Sequence, residues 1–425
     1  MPVGDVATCR MIRAMRFRNT LPAWCLTILL LIAMPAFGRP QLILPKTGLT
    51  ANEVAVVIND DDPLSRRGGE YYRDVRKIPP DNVIRVRFAP GRSALPVEEF
   101  AALKAQIDRA TAAHVQAYAV AWTRPYRVGC MSLTSALAFG FDPAFCSTAC
   151  GATRASPYFD SAGRYPATEH GVRPAMMVAG TDYEQVRQLI DRGRAADSSY
   201  PVGKVWLLST SDKARNVRAA NFERTAAALA GVFPIEIHEG NAIADHGEVL
   251  GYFTGLAQVP DLAALHFVPG ALADHLTSFG GQLTDSSQMS SLRWLEAGAT
   301  ASYGTVVEPC SHPQKFPLPA IALFHYAAGA SAVEAYWKSV AWPGEGVFIG
   351  DPLARPFAPV LRQVSPNQFE LKLFSPRAGK LWFEHSLSPM GPFRRLPQRR
   401  DFERGLNVLR FALPADMEGY VRLQW

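Results

Sequence analysis

The stretch NEVAVVINDDDPLSRRGGEYYRDVRKI, residues 52–78, holds both alternating units of the fold. NEVAVVIN is a short, nearly continuous apolar run rich in valine. That is the composition of a strand buried on both faces. It stops at Asp60-Asp61-Asp62-Pro63, after which LSRRGGEYYRDVRKI spaces its apolar side chains as a helix does. Aspartate ahead of Pro-Leu-Ser suits a helix start, where a short side-chain oxygen accepts from free backbone amides. The same three carboxylates are hard oxygen donors for a divalent cation, but the cap accounts for them more simply. The residues call for no metal and no cofactor.

Working outward, the pattern repeats. NVIRVRF (82–88), VQAYAVAW (115–122), RPAMMVAG (173–180), KVWLLST (204–210), FPIEIHE (233–239), LAALHFV (262–268) and ATASYGTVV (299–307) are strand-like runs. VEEFAALKAQIDRATAA, DYEQVRQLIDRGRAA, NFERTAAALAG, SSLRWLEAG and ALFHYAAGASAVEAYWKS lie among them as helices, and ADHGEVLGYF has the look of a helical lead-in. Strands alternating with helices predict a three-layer α/β domain with a mostly parallel sheet. After GDPLARPFAPV (350–360) the helices cease. FELKLFS, KLWFEHS, LNVLRFAL and GYVRLQW alternate apolar and polar residues between Pro and Gly turns. Residues 361–425 therefore read as a small antiparallel β-sandwich module.

The N-terminus bears on compartment. Arg10, Arg13, Arg16 and Arg18 precede the apolar run Leu21–Gly38, which ends in Ala36-Phe37-Gly38. Basic, apolar and small residues in that order are those of a secretory signal peptide cut after Gly38. An uncleaved anchor is the alternative, since a span needs about 18 residues. Pro22 and Pro35 interrupt the run and favour cleavage. The division expected is then 1–38 signal peptide, 39–360 α/β domain and 361–425 β module. The product would be exported to the periplasm or secreted, and would not span the membrane. Residues 1–38 hold four Arg and one Asp, so their removal lowers the formal charge from +6 to +3. Residues 361–425 have 11 basic and 6 acidic side chains, which leaves 39–360 near neutral. A neutral body gives no electrostatic case for nucleic acid. The basic module has some affinity for anionic surfaces or is simply a solvated face.

Four cysteines follow the leader: Cys130, Cys146, Cys150 and Cys310. In an exported chain an even number points to disulfides, with three possible connectivities. The flexible loop FCSTACGATR lets Cys146 bond Cys150, leaving Cys130 for Cys310.

Ligands of open α/β sheets bind beyond the carboxyl ends of the strands. The residues expected there are Asp60 and Asp61 after the first strand, and Arg124, Tyr126 and Arg127 after the third. Asp274, His275 and Ser278 follow LAALHFV, and Glu308 and His312 follow ATASYGTVV. The arginines could clamp a carboxylate or phosphate or could fix their own loop. Asp274, His275, Ser278, Glu308 and His312 contain the acid–base and hydroxyl groups of a hydrolase. His246-Gly247 reads as exposed.

LTANEVAVVINDDDPLSRRGGEYY, PYRVGCMSLTSALAFGFD, PGALADHLTSFGG, GATASYGTVVEPCSHPQKFP and EAYWKSVAWPGEGVFIGDPLARPF resemble an uncharacterised family of exported bacterial proteins. That resemblance implies no activity. More distantly, the order of elements is similar to the gingipain-type cysteine peptidases of the caspase-like fold. These end in a Gly-Asp-Pro segment like Gly350-Asp351-Pro352, followed by an immunoglobulin-like module. Their Cys-bearing strand end would fall at Val268-Pro269-Gly270 and their His-Gly pair near Tyr252–Gly255, and neither place has the residue. The resemblance thus implies a peptidase-like scaffold with a degenerate dyad. The function expected is binding of a peptide or glycan in the cell envelope; the alternative is a hydrolase built on Asp274, His275, Ser278, Glu308 and His312.

Overall fold

A computed structural model describes residues 40–147, 150–243 and 247–425. The expected signal peptide and His246 lie outside the described residues. Ten strands form one sheet. From edge to edge they are Ile235–Glu239, Lys204–Ser209, Val249–Thr254, Phe267–His275, Ala301–Thr305, Gly346–Gly350, Ala175–Met177, Ala117–Val120, Val54–Asn59 and Val83–Val86. Gly346–Gly350 runs antiparallel to Ala301–Thr305 through five residue pairs and meets the other half of the sheet at one pair, Ile349 with Met177. Every strand residue of Val54–Asn59 and Ala117–Val120 is buried. A strand with no exposed face needs helices on both sides of the sheet, so the architecture has three layers.

The opening stretch folds as its chemistry dictates. Helix Pro63–Arg76 starts with Pro63 at its first position and Asp62 accepting from the Leu64 amide at 2.9 Å. It stops at Lys77, which adopts a left-handed conformation (φ 57°). Gly69 lets the helix close onto the sheet: a Cβ there would come within 2.6 Å of Ile58.

Two readings of the sequence change. The described part of ADHGEVLGYF, residues 247–253, is no helix, because Val249–Thr254 is a fully buried strand. LAALHFV is not the strand it resembles either. Leu262–Ala264 is a single 3-10 turn, and the strand is Phe267–His275, most of a segment that Pro269 and Gly270 make look like a loop. The cause is an irregular register: Val249 pairs with Phe267 but Gly251 pairs with Leu272, so Val268–Ala271 bulge out. A bulge tolerates a proline and a left-handed glycine where a regular ladder does not, and Gly270 has φ 95°. The carboxyl end of this strand is therefore His275, not Val268-Pro269-Gly270.

The C-terminal part is a two-sheet sandwich. One sheet is Val360–Ser365, Gln368–Ser375 and Gly405–Ala412; the other orders Gln41–Ile43, Tyr420–Gln424, Gly379–Ser386 and Arg394–Phe402. Leu371, Leu381, Phe383 and Leu423 are fully enclosed between them. The strand Gln41–Ile43 comes from the other end of the chain and pairs parallel with Tyr420–Arg422. Residues 361–425 thus complete their sheet with a segment that precedes the α/β domain. Phe374 packs on Phe233 and Phe357 at centroid distances of 5.5 and 4.4 Å, joining module to body.

Candidate functional site

The loops at the carboxyl ends of the strands do converge. Asp62, Leu64, Pro90, Gly91, Thr123, Arg124, Gly180, Thr181 and Thr284 line a cleft of about 330 Å³. The Thr123 hydroxyl donates to Gly180 O at 2.6 Å and accepts from Gly180 N at 3.0 Å, which latches two of the loops together. Across the junction between the sheet halves, the Tyr126 hydroxyl donates to Asp285, and Ser93 donates to the same carboxylate at 2.8 Å. Burial and the bond to Asp285 push the Tyr126 phenol up to about 12. Burial works against the Asp285 charge, but the hydrogen bonds from Tyr126 and Ser93 and the charges of Arg124 and Arg127 hold its carboxyl below the usual range. Tyr126 is thus a buried tie between loops. The Arg124 side chain is exposed on the cleft wall and makes no hydrogen bond or close ion pair among the described residues. Arg127 is half-buried, and its Nε is enclosed without a partner. Asp60 and Asp61 are paired with Arg85 and Arg87 at 2.7 and 3.0 Å. With Asp62 serving as the cap, the three carboxylates are all occupied, and no cluster of three metal-ligating side chains occurs among the described residues.

The acid–base candidates occupy three separate environments. Asp274 is fully buried, and Arg218 Nη1 donates to it at 2.6 Å; the same guanidinium binds the carbonyls of Thr254 and Pro317 at 2.6 and 3.0 Å. Burial raises the Asp274 carboxyl to about 6 against the pull of Arg218. The His275 side chain does not turn to its neighbour. Trp294 Nε1 donates to His275 Nδ1 at 2.9 Å, so Nε2 carries the proton and donates to Met289 O at 3.0 Å. Both ring nitrogens are taken, the residue is fully enclosed, and burial drops its pKa to about 3. Ser278 is half-buried, and its carbonyl accepts from Thr305 Oγ1 at 2.9 Å. Glu308 is exposed and accepts from the Cys310 amide at 2.8 Å, while His312 Nε2 donates to Cys150 O at 2.6 Å with its ring edge-on to Trp342. The 277–282 and 304–306 segments share a wall through Thr305 Oγ1 to Thr277 O (3.0 Å), Gly281 N to Thr305 O (2.8 Å) and Gln282 to Val306 O (3.1 Å).

His275 makes stability depend on pH. Its folded pKa lies below the value of about 6.5 for a free imidazole, so the unfolded chain binds the extra proton and stability falls as pH drops below 6.5. Asp274 acts oppositely: its raised carboxyl binds a proton in the folded chain first, so stability rises as pH falls between about 6 and 3.8. His275→Gln keeps a donor and an acceptor but no titration. The stability advantage of the parent over this variant, from urea midpoints, should shrink by about 2–3 kcal/mol between pH 6.5 and 4.5. A constant difference would mean that the imidazole takes up a proton without unfolding.

The disulfides differ from the expected pairing. Cys130 bonds Cys146 (Cα–Cα 5.9 Å) and Cys150 bonds Cys310 (Cα–Cα 5.4 Å). The turn Pro143–Phe145 decides this. Phe145 is buried and stacks on Phe139 at 4.4 Å, which carries the adjacent Cys146 back to Cys130. Cys150 and Cys310 then face one another, both in left-handed conformations (φ 58° and 56°).

Several residues of the region carry no sequence signal. Arg218 is one of many arginines, and only the fold buries it against Asp274. Asp285, Thr284 and Gly180 lie in ordinary polar loops. Asp351 of the Gly-Asp-Pro segment is fully buried and accepts from Arg76 Nε at 2.9 Å. It ties the end of helix Pro63–Arg76 to the end of the central strand Gly346–Gly350.

No protein-family model and no curated protein matches the chain. Among solved structures, the chain is similar to one described as "Structure of Protease", at 10% identity and a TM-score of 0.38, covering 87% of this chain and 98% of that one. It is also similar to the complex of Porphyromonas gingivalis RgpB pro- and mature domains, at 9% identity and a TM-score of 0.39, covering 88% of this chain and 99% of that one.

Proposed function

We propose that this chain is an exported cell-envelope protein that binds a peptide or glycan in the cleft at the carboxyl edge of its sheet, on a peptidase-like α/β scaffold. The observation that carries this reading is Arg124: an exposed guanidinium on the wall of a cleft of about 330 Å³, with no carboxylate among the described residues bonded to it. A planar fork of that kind is suited to a ligand carboxylate. Thr123, Thr181 and Thr284 add hydroxyls to the same wall. Two disulfides fit an oxidising compartment, and no described helix is long and apolar enough to cross a membrane.

The test is a ligand-observed NMR screen with two probes, a short peptide ending in a free carboxylate and a uronic-acid oligosaccharide. Arg124→Ala should weaken the bound probe about tenfold or more, since hydrogen bonds to charged groups are worth about 1.5–3 kcal/mol. Its urea midpoint should move little, because beyond its charge acting on Asp285 the side chain makes no hydrogen bond or close ion pair among the described residues. Unchanged affinity in Arg124→Ala would remove the cleft as the site.

A further inference from the structure

The strand Arg394–Phe402 is the outer edge of the four-stranded sheet of the sandwich. Arg394, Arg395, Arg399 and Arg400 are all exposed on it. Of the four, only Arg395 has a carboxylate of the described residues within 4 Å, Glu384 at 3.9 Å. Among the described residues Arg400 donates only to backbone carbonyls, those of Arg399 and Arg410. Two of the guanidiniums are held in place by a ring: Arg395 and Arg399 lie over Trp382 at 4.6 and 5.8 Å. Trp382 is the cross-strand partner of Arg399. The neighbouring Arg422 lies over Phe393 at 4.2 Å.

We infer that the outer face of this sheet, where Arg395 and Arg399 meet Trp382, binds an acidic polysaccharide, with Arg394 and Arg400 at its rim on the side of His385 and Leu381. Three features carry the inference. The charge is local, since residues 361–425 hold 11 basic and 6 acidic side chains while the rest of the chain after residue 38 is near neutral. The charge is also close-set: Arg395 and Arg399 pair with Glu384 and Trp382, two residues apart on the neighbouring strand, so the bulge at 396–398 brings both guanidiniums over one ring as a short row that fits neighbouring carboxylates or sulfates. The row is also ordered in advance. Cation–π contact with Trp382 removes much of the freedom that two arginines would lose on binding, and each fork can then take an anionic group through two parallel hydrogen bonds. Charges and Pro397 on an edge strand also block sheet-to-sheet aggregation. That role requires no aromatic holder on the outer face, whereas polymer binding makes use of one.

The experiment uses the full chain and heparin as the probe, a linear polysaccharide carrying both carboxylate and sulfate. Binding is followed at several salt concentrations for the parent, for the variant Arg394→Gln/Arg395→Gln/Arg399→Gln/Arg400→Gln, and for Trp382→Leu. Thermal unfolding and sedimentation are recorded in parallel. The parent should bind with an affinity that falls as salt rises. The quadruple variant should lose at least about tenfold at low salt and show a shallower salt slope. Trp382→Leu should lose several-fold while keeping all four charges, which a merely electrostatic face would not do. Heparin affinity unchanged in the quadruple variant would overturn the inference. So would self-association of that variant with heparin binding intact, which would leave the arginines as an edge guard. Retention on vesicles containing anionic phospholipid but not on heparin would also overturn it and assign the face to a membrane surface. The short peptide with a free carboxylate should bind the quadruple variant as it binds the parent, so failure here is separable from failure of the cleft.

Discussion

Replacing Cys150 and Cys310 together by serine should lower unfolding stability by about 3–5 kcal/mol, the largest effect expected from any single bond in this protein. The two residues are 160 apart in sequence, so the bridge closes a very long loop in the unfolded chain. Chain-entropy reasoning gives about 5 kcal/mol for a loop of that length and about 3 kcal/mol for the 16-residue separation of Cys130 and Cys146. The long bridge also anchors the proline-fenced segment 308–317 to the Cys150 turn, where Glu308 and His312 make their backbone contacts. Urea unfolding of the two double-serine variants gives the comparison. Intact mass with and without reductant should first confirm two bridges by a shift of about four hydrogens. A Cys150→Ser/Cys310→Ser variant as stable as the parent would show that the bridge constrains neither state. A smaller loss than in Cys130→Ser/Cys146→Ser would show that native packing, rather than loop length, sets the contribution.

Arg218→Met should cost about 3–5 kcal/mol, the usual consequence of leaving one buried charge without its partner. Asp274 is fully enclosed, and its Oδ2 already lacks a hydrogen-bond partner. With Arg218 gone, its only close cation among the described residues goes too, along with the donors to Thr254 O and Pro317 O. The carboxyl should then stay protonated well above pH 6, so the loss should be smaller at pH 5 than at pH 8. Adding Asp274→Asn to Arg218→Met should recover part of the loss, because the neutral amide no longer needs a counter-charge. Equal destabilisation by the single and double variants would mean that Arg218 acts through its carbonyl contacts and not through Asp274. Equal destabilisation at pH 5 and pH 8 would point the same way.

The cleft and the α/β order were within reach of a reading by residue type. Arg124 and Tyr126 follow a strand, and carboxyl-end loops gather wherever a sheet is mostly parallel. Their separate fates were not readable. Arg124 remains exposed, with no close ion pair among the described residues, while Tyr126, two residues on, meets Asp285 from a loop 159 residues away. The hydrolase candidates show the same contrast. Asp274 and His275 are adjacent in sequence, yet the alternation of a strand sends their side chains to opposite faces of the sheet, one to Arg218 and the other to Trp294.

What the sequence determined by itself is whatever depends on near neighbours along the chain. Apolar runs flanked by turns made strands, helical spacing made helices, Asp62-Pro63 made a helix start, and the loss of helical periodicity after residue 360 marked the sandwich. Tertiary structure decided what depends on residues far apart. It paired Cys146 with Cys130, because a buried Phe145 outweighs the short loop to Cys150. It turned Pro269-Gly270 into a bulge inside a strand, because neighbouring strands supply the ladder on both sides. It drew Gln41–Ile43 to the last strand of the chain, and it set Arg218 against Asp274. The physical reason is common to all of these. Local conformational preferences amount to a few tenths of a kcal/mol up to about 1 kcal/mol per residue, and burying an apolar side chain or pairing a buried charge outweighs them.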